Sequence, residues 1–211
     1  MSIYDKGWLM KFLNPKNQPQ QMRNYLDKES KLLKNQILKG TSLIDFGCGY
    51  GRHLELLQKR LTYGLGIDNV KDYIEFGKKK LRNFSNLELK KADVLTIELE
   101  KKFDYAICMN NTLGNIEKKD RLISQMKNAI TSNGIIIAGV YSKKSIDTRV
   151  EWYNKTGLKI KKITNDYIET INGFKSWHFS KNQLNELFKY SIIKDITRIG
   201  YLIICKNKKK Q

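Results

Sequence analysis

Apolar positions along the chain follow two recurring rhythms. Residues 20–39 carry Met22, Tyr25, Leu26, Leu32, Leu33 and Ile37 at roughly helical spacing, which predicts a helix that Gly40 ends. From there short apolar runs alternate with amphipathic stretches. SLIDF (42–46), GLGID (64–68), LELKKADV (87–94), FDYAICM (103–109) and GIIIAGVY (134–141) are predicted strands. RHLELLQKRL (52–61), KDYIEFGKKKL (71–81) and KDRLISQMKNAI (119–130) are predicted helices, the last ended by a turn at Asn133-Gly134. This alternation predicts a doubly wound α/β fold, a mostly parallel sheet with helices on both faces. The last third changes rhythm. LKIKKI (158–163) and DYIETI (166–171) flank Thr164-Asn165 as a small β-hairpin inserted after the fifth strand. SKNQLNELFKY (180–190) follows as a helix with Ser180 at its N-cap, and SIIKDITRI and YLIICK close the sheet around Gly200. One domain over 1–211 is expected. Its parts are a helical N-terminal lid (1–39), a core (40–141), an insertion (142–179), and a closing helix and strands (180–211).

Composition narrows the class. No stretch approaches the ~18 continuous apolar residues of a membrane span, and the N-terminus has no signal-peptide hydrophobic region. Cys48, Cys108 and Cys205 lie far apart with no metal-ligand spacing, so no metal is expected and the location expected is cytoplasmic. The net charge of +19 opens a nucleic-acid alternative, since a basic surface gathers polyanions. The positive charge is nearly all lysine, spread along a chain also rich in Ile and Asn, and arginine is scarce. That profile also follows from biased genome composition.

The chemistry concentrates in LIDFGCGYGRH, Leu43 to His53, at the end of a predicted strand and the start of a helix. Gly47, Gly49 and Gly51 allow a tight turn and a close backbone approach to a ligand. In open α/β sheets ligands sit beyond the carboxyl ends of the strands, where this loop falls. The spacing is GxGxG, with Arg52 where a dinucleotide-binding third glycine would stand, and no GxxxxGK[ST] exists. Asp45, two residues before the first glycine, would repel a pyrophosphate and suits a ligand bearing an ammonium and a sulfonium. S-adenosylmethionine is such a ligand. Asp68, followed by Asn69, ends the second strand where an acid can accept ribose hydroxyls. Asp93 ends the third, placed to accept the adenine amine while Val94 packs on the ring.

With GCGYG, the acid in GID, the acid in KADV and the segment FDYAICMNNTLGNI, residues 42–141 resemble the class I S-adenosylmethionine-dependent methyltransferase family. The resemblance implies a seven-stranded sheet whose final strand runs antiparallel between strands five and six. It implies that Asp45, Gly47, Gly49 and Gly51 line the methionine end of the cofactor. Asp68 would hold the ribose, Asp93 and Val94 the adenine, and Met109 and Asn110 would lie beside the ribose and sulfonium. S-adenosylhomocysteine would be the product. A fainter resemblance of the N-terminal part to glycine N-methyltransferase-like enzymes implies Arg23 as the partner of the methionine carboxylate.

The acceptor is less well defined. The tip Met109 to Asn115 lacks the Pro-Pro-aromatic element of base-amino methyltransferases and the Pro-Cys of pyrimidine-carbon enzymes. With YNKTGLKI and WHFSKNQLNELF, it resembles small-molecule N- and O-methyltransferases. A small-molecule acceptor and a closed, aromatic-lined cavity beside Asn110 are therefore expected, in a monomer or homodimer. The alternative is an RNA or RNA-associated methyltransferase using Lys78–Lys80, Lys159, Lys161, Lys162 and the C-terminal lysines. Asn110 and Asn111 are candidates to orient the nucleophile, with helix capping as the competing assignment. His178 is the candidate base, against a satisfied structural histidine, and His53 is read as structural. Tyr4, Trp8, Asn115, Tyr141 and Trp177 are the candidate substrate contacts.

Overall fold

Strands that are apolar on both faces become the interior of a parallel sheet, and four do so here, with a fifth, more polar one at the edge. The computed structural model describes residues 11–12 and 14–207. β1 (Thr41–Phe46), β2 (Leu61–Asp68), β3 (Leu87–Lys91), β4 (Phe103–Cys108) and β5 (Ile130–Tyr141) lie in the order β3-β2-β1-β4-β5, all parallel. β10 (Gly200–Lys206) follows, antiparallel to β5 and to the edge strand β9 (Ile192–Ile196), with β6 to β8 lying outside this sheet. This is the seven-stranded order that the resemblance implies.

The pleat assigns each side chain to a face. Leu43, Tyr105, Ile107, Ile137 and Leu202 face one core, with α1 (Gln20–Gln36), α2 (Arg52–Leu57), α3 (Lys71–Leu81) and α5 (Ile146–Thr156) covering it. Ile44, Ala106, Cys108, Ala138 and Ile203 face the other, under α4 (Lys119–Ala129) and α6 (Lys181–Leu187). Asp45 alternates onto the α1 face between Leu43 and the end of the strand. That face, at the carboxyl ends of β1, β2, β4 and β5, is where the site forms.

Several expected boundaries move. Asn133-Gly134 makes no turn, because β5 begins at Ile130 and absorbs exposed Asn133 and buried Gly134 in an irregularity of its pairing with β4. The 52–61 helix stops at Leu57 and β2 starts at Leu61. Ala92 to Val94 lie beyond β3 in a loop. A helix not foreseen, α5, precedes the hairpin. The hairpin strands β6 (Ile160–Ile163) and β7 (Tyr167–Thr170) gain a third, β8 (Lys175–Trp177), to make an antiparallel meander. Ser180 does cap its helix, exchanging hydrogen bonds with Gln183 in both directions. Among the described residues no helix is long and apolar enough to cross a membrane.

Gly51 has a structural duty here. Its φ of +84° opens α2, and a Cβ there would sit 2.7 Å from Leu81 Cδ1 and 3.3 Å from Leu89 Cδ2. Gly51→Ala is therefore expected to cost on the order of 2 kcal/mol through the left-handed backbone and the crowding. That corresponds to roughly 4–8 °C of thermal midpoint for a chain this size. An unchanged melting temperature would show that the loop relaxes freely.

Candidate functional site

The loop between β1 and α2 turns through Gly47, Gly49 and Gly51, each at positive φ. Gly49 matters most for a ligand. At φ +56° its missing Cβ would point into open space, and the residue lines a cavity of about 330 Å³. The same loop is tied to the tip of β2, since Gly49 N–H donates to Asp68 Oδ2 at 2.9 Å while Val70 N–H donates to Oδ1 at 2.9 Å. Each Asp68 oxygen retains a lone pair for a ligand hydroxyl. Burial pushes the Asp68 carboxyl above its ordinary 3.8, opposed by these backbone donors and aided by the charge of Asp45. Asn69, Val70, Tyr73 and Val94 continue the wall on this side, and Thr112 and Ile116 face it.

A buried charge network ties α1 to this loop. Glu29 is fully buried, in a helix otherwise facing inward with Met22, Tyr25 and Leu33. Its Oε1 accepts from Tyr25 O–H at 2.8 Å and from Asn110 N–H at 3.2 Å. Its Oε2 accepts from Arg52 Nη2 at 3.4 Å and lies 3.8 Å from His53 Nε2. His53 Nε2 in turn lies 2.8 Å from Arg52 Nη2, and its Nδ1 is 3.7 Å from Asp45 Oδ2. Burial alone would raise the Glu29 carboxyl; His53, Arg52 and Tyr25 outweigh it and hold it below its ordinary 4.5. Neither oxygen of Asp45 has a hydrogen-bond partner, although the side chain is buried. Two carboxylates thus lie behind the glycine loop and a third, Asp68, in its wall.

The other end of the cavity is aromatic and amide-rich. Met109, Asn110, Asn115, Tyr141, Tyr153, Phe174 and Ser176 line it, with Phe12 opposite. Asn110 and Asn111 both take left-handed backbone, φ +50° and +61°, which asparagine tolerates best among residues with a Cβ. Asn110 Oδ1 accepts from Tyr141 O–H at 3.0 Å. Burial pushes the Tyr141 phenol above its ordinary 10.0, which keeps it a donor at neutral pH.

The expected site residues divide. Gly47, Gly49, Asp68, Asn69, Val94, Met109, Asn110, Asn115 and Tyr141 line the cavity. Asp45 lies behind it. Gly51 instead packs under Leu81 and Leu89. Asp93 is exposed, and its Oδ1 caps a turn by accepting from Leu95 N–H at 2.8 Å. Asn111 is fully buried and spends its amide internally: Oδ1 accepts from Tyr141 N–H at 2.9 Å, and Nδ2 donates to Ser176 Oγ and Trp177 O, both at 3.1 Å. It is a staple between β5 and the meander rather than a group facing a substrate. Arg23 is held at the start of α1 by Gln18 O and Gln20 Oε1, away from the cavity. Trp177 carries Lys119 Nζ 3.8 Å above its ring and is not in the wall. His178 is buried outside the cavity, with Nδ1 3.3 Å from Arg149 Nη1. Burial and then the Arg149 charge push it below 6.5, so it stays neutral without reaching a substrate. Tyr4 and Trp8 lie outside the described residues. Glu29, Arg52 and Tyr153 were not among the expected contacts.

The positive charge is elsewhere. Arg52 is the one lysine or arginine in the cavity wall among the described residues. Lys78–Lys80, Lys159, Lys161 and Lys162 are exposed, Lys80 pairing with Glu55 and Lys161 with Glu169.

Comparison with known proteins agrees with this architecture. A family model described as a methyltransferase domain matches residues 37–191. The PH0226 protein of Pyrococcus horikoshii OT3 superposes with a TM-score of 0.71 at 18% identity, over 93% of this chain and 97% of that one. The 1,6-didemethyltoxoflavin-N1-methyltransferase of Burkholderia thailandensis, with bound 1,6-didemethyltoxoflavin and S-adenosylhomocysteine, gives 0.67 at 12% identity, over 88% and 79%. A SAM-dependent methyltransferase of Methanosarcina mazei gives 0.64 at 17%, over 85% and 98%. At these identities the likeness is one of fold. No curated protein matches the chain.

The buried network makes a pH prediction. Glu29 has a lowered folded-state pKa, so its contribution to stability is full above the unfolded value of 4.5 and is lost as pH falls through the folded value. Glu29→Gln strands Arg52 and His53 and is expected to cost on the order of 3 kcal/mol near neutral pH. In urea denaturation the gap between variant and parent should narrow steadily below pH 4.5. A constant gap across that range would locate the effect in packing instead.

Proposed function

Because the chain belongs to the methyltransferase domain family, we propose the reaction its cavity suits: transfer of the methyl group of S-adenosylmethionine to a nitrogen or oxygen nucleophile of a small molecule. The observation that carries the small-molecule reading is the cavity itself. One enclosure joins the glycine cradle to an aromatic pocket beside Asn110, and of 40 lysines and arginines in the chain only Arg52 lines it among the described residues. A polynucleotide acceptor calls for a basic track leading to the methyl, and among the described residues no lysine lines this cavity. The Burkholderia neighbour, with a small heteroaromatic acceptor and the demethylated cofactor bound, supports the same reading.

The residues present fit the cofactor. Gly49 offers bare backbone with room in front of it, and Asp68 offers both oxygens to ribose hydroxyls. Val94 and Ile116 give apolar walls for the adenine. The carboxylates of Asp45, Glu29 and Asp68 set a negative field suited to an ammonium and a sulfonium. Arg52, the cation in the wall, takes the carboxylate-binding role expected of Arg23. The cofactor supplies an electrophilic methyl on a leaving group that needs no protonation.

What remains for the protein is alignment. Asn110, its amide fixed by Tyr141 and its backbone N–H by Glu29, stands where the two halves of the cavity meet. Asn115 Oδ1 accepts from Ser176 O–H at 2.9 Å and extends this polar rim. No imidazole or carboxylate among the described residues is free at the aromatic end, so these groups orient a nucleophile that carries an available lone pair. The segment before α1, through Phe12, and the 142–179 insertion, through Tyr153, Phe174 and Ser176, roof the acceptor.

Calorimetric titration with S-adenosylhomocysteine tests the core of this reading. Asp68→Ala should weaken binding roughly tenfold to a hundredfold, the loss of hydrogen bonds to a charged acceptor. Ligand hydroxyls favour the ionised form of Asp68, so affinity in the parent should decline as pH falls, starting above the ordinary 3.8 because the free-state pKa is raised. The variant should lack that decline. A folded parent that binds neither S-adenosylmethionine nor S-adenosylhomocysteine would overturn the proposal.

A further inference from the structure

A buried guanidinium ordinarily rests on a carboxylate, because an uncompensated cation in low dielectric is costly. Arg149, on α5, does not. It is fully buried, its Nη2 donates to Ser176 O at 2.7 Å and to Tyr153 O–H at 3.4 Å, and its Nε–H has no acceptor. No ion pair joins it among the described residues. Its charge is cushioned by aromatic faces, 4.9 Å from the Tyr141 ring centre and 5.7 Å from that of Tyr153. Both rings are in the cavity wall, so an unneutralised positive charge stands directly behind the acceptor end.

A second orphan donor lies one turn further on. Trp152 is buried and stacked on Phe12, with centroids 3.7 Å apart, and its Nε1–H also has no acceptor. It lines a second lobe of about 310 Å³ that shares Phe12, Tyr50, Arg52 and Asn110 with the main cavity. Residues 149, 152 and 153 fall on one face of α5. The acids are elsewhere. Asp68 is at the cofactor end, Glu29 is saturated by its donors, and Asp27 at the edge of the second lobe is solvent-exposed and paired with Lys31 at 2.8 Å.

We propose that the methyl acceptor is an aromatic small molecule carrying an anionic oxygen group, a carboxylate or an ionised hydroxyl, seated against α5. Trp152 Nε1–H donates to that group, and Arg149 supplies its counter-charge through the wall formed by Tyr141 and Tyr153. Protonated amines are excluded by the same charge. This rests on the methyl-transfer reading of the site and adds to it the chemical class of the acceptor.

The test uses the protein saturated with S-adenosylhomocysteine and three single-ring probes that differ in charge: benzoate (anionic), benzamide (neutral) and benzylamine (cationic). Affinity is measured by calorimetric titration, and the seat is located by the ¹⁵N indole resonance of Trp152 in the parent, assigned with Trp152→Phe. Benzoate should move that resonance and bind at least tenfold more tightly than benzamide, and benzylamine should not compete. Arg149→Met should lower benzoate affinity about tenfold (~1.4 kcal/mol) and leave S-adenosylhomocysteine affinity unchanged. Trp152→Phe keeps an aromatic ring against Phe12 while removing the N–H along with part of the indole, and should weaken benzoate severalfold, so the inference stays testable if Arg149→Met does not fold. Benzamide or benzylamine binding as well as benzoate, or no benzoate response at millimolar concentration, would overturn it. Failure to saturate with S-adenosylhomocysteine would instead overturn the methyl-transfer reading, and the acceptor class with it.

Discussion

A carboxylate sealed from water organises this site. Glu29 ionised inside the protein is tolerable only with its oxygens matched by donors, and the donors come from three elements. Tyr25 is one turn back on α1, Arg52 and His53 open α2, and the Asn110 N–H stands at the tip of β4. Satisfying one anion therefore fixes the position of α1 over the sheet, the start of the helix after the glycine loop, and the residue at the centre of the cavity. Gly139 on β5 completes the arrangement, because any Cβ there would collide with Glu29 Oε1.

The same constraint divides the interior by charge. Asp45, Glu29 and Asp68 gather at the glycine loop, while the orphan donors Arg149 and Trp152 gather at the other end under α5. The exterior carries the chain's large positive excess, but solvent screens charges on the outside far more than those enclosed beside the cavity. A net charge of +19 thus coexists with three carboxylates gathered at the glycine loop.

Local chemistry was legible in the sequence and distant partnership was not. The glycine loop, Asp68 and the alternation of strands and helices follow from motifs and rhythms that need only neighbouring residues, while the sheet order followed from the family resemblance. Glu29 meets Asn110 across 81 positions, and Arg149 meets Ser176 across 27, so no local pattern announces either contact. Arg23 looked like the natural N-terminal cation, yet Gln18 and Gln20 lie within its reach and hold it. Asp93 shows how an acid at a strand end can serve its own backbone turn instead of a ligand. α5 escaped notice because Arg149 sits on its buried face, which breaks the apolar rhythm that marks other helices. Asn133-Gly134 reads as a turn locally, but the β4 edge gives the strand a partner strong enough to carry an irregularity.

Asn111 gives the last consequence. Its one amide ties the central sheet to the meander, reaching Tyr141 on one side and Ser176 and Trp177 on the other. Structure on the near side of that tie answers to a single fixed ligand. Structure on the far side contributes Phe174 and Ser176 to the other end of the cavity. A change in the meander therefore reshapes the Phe174 and Ser176 end of the cavity while the hydrogen bond from Gly49 to Asp68 at the opposite end stays in place.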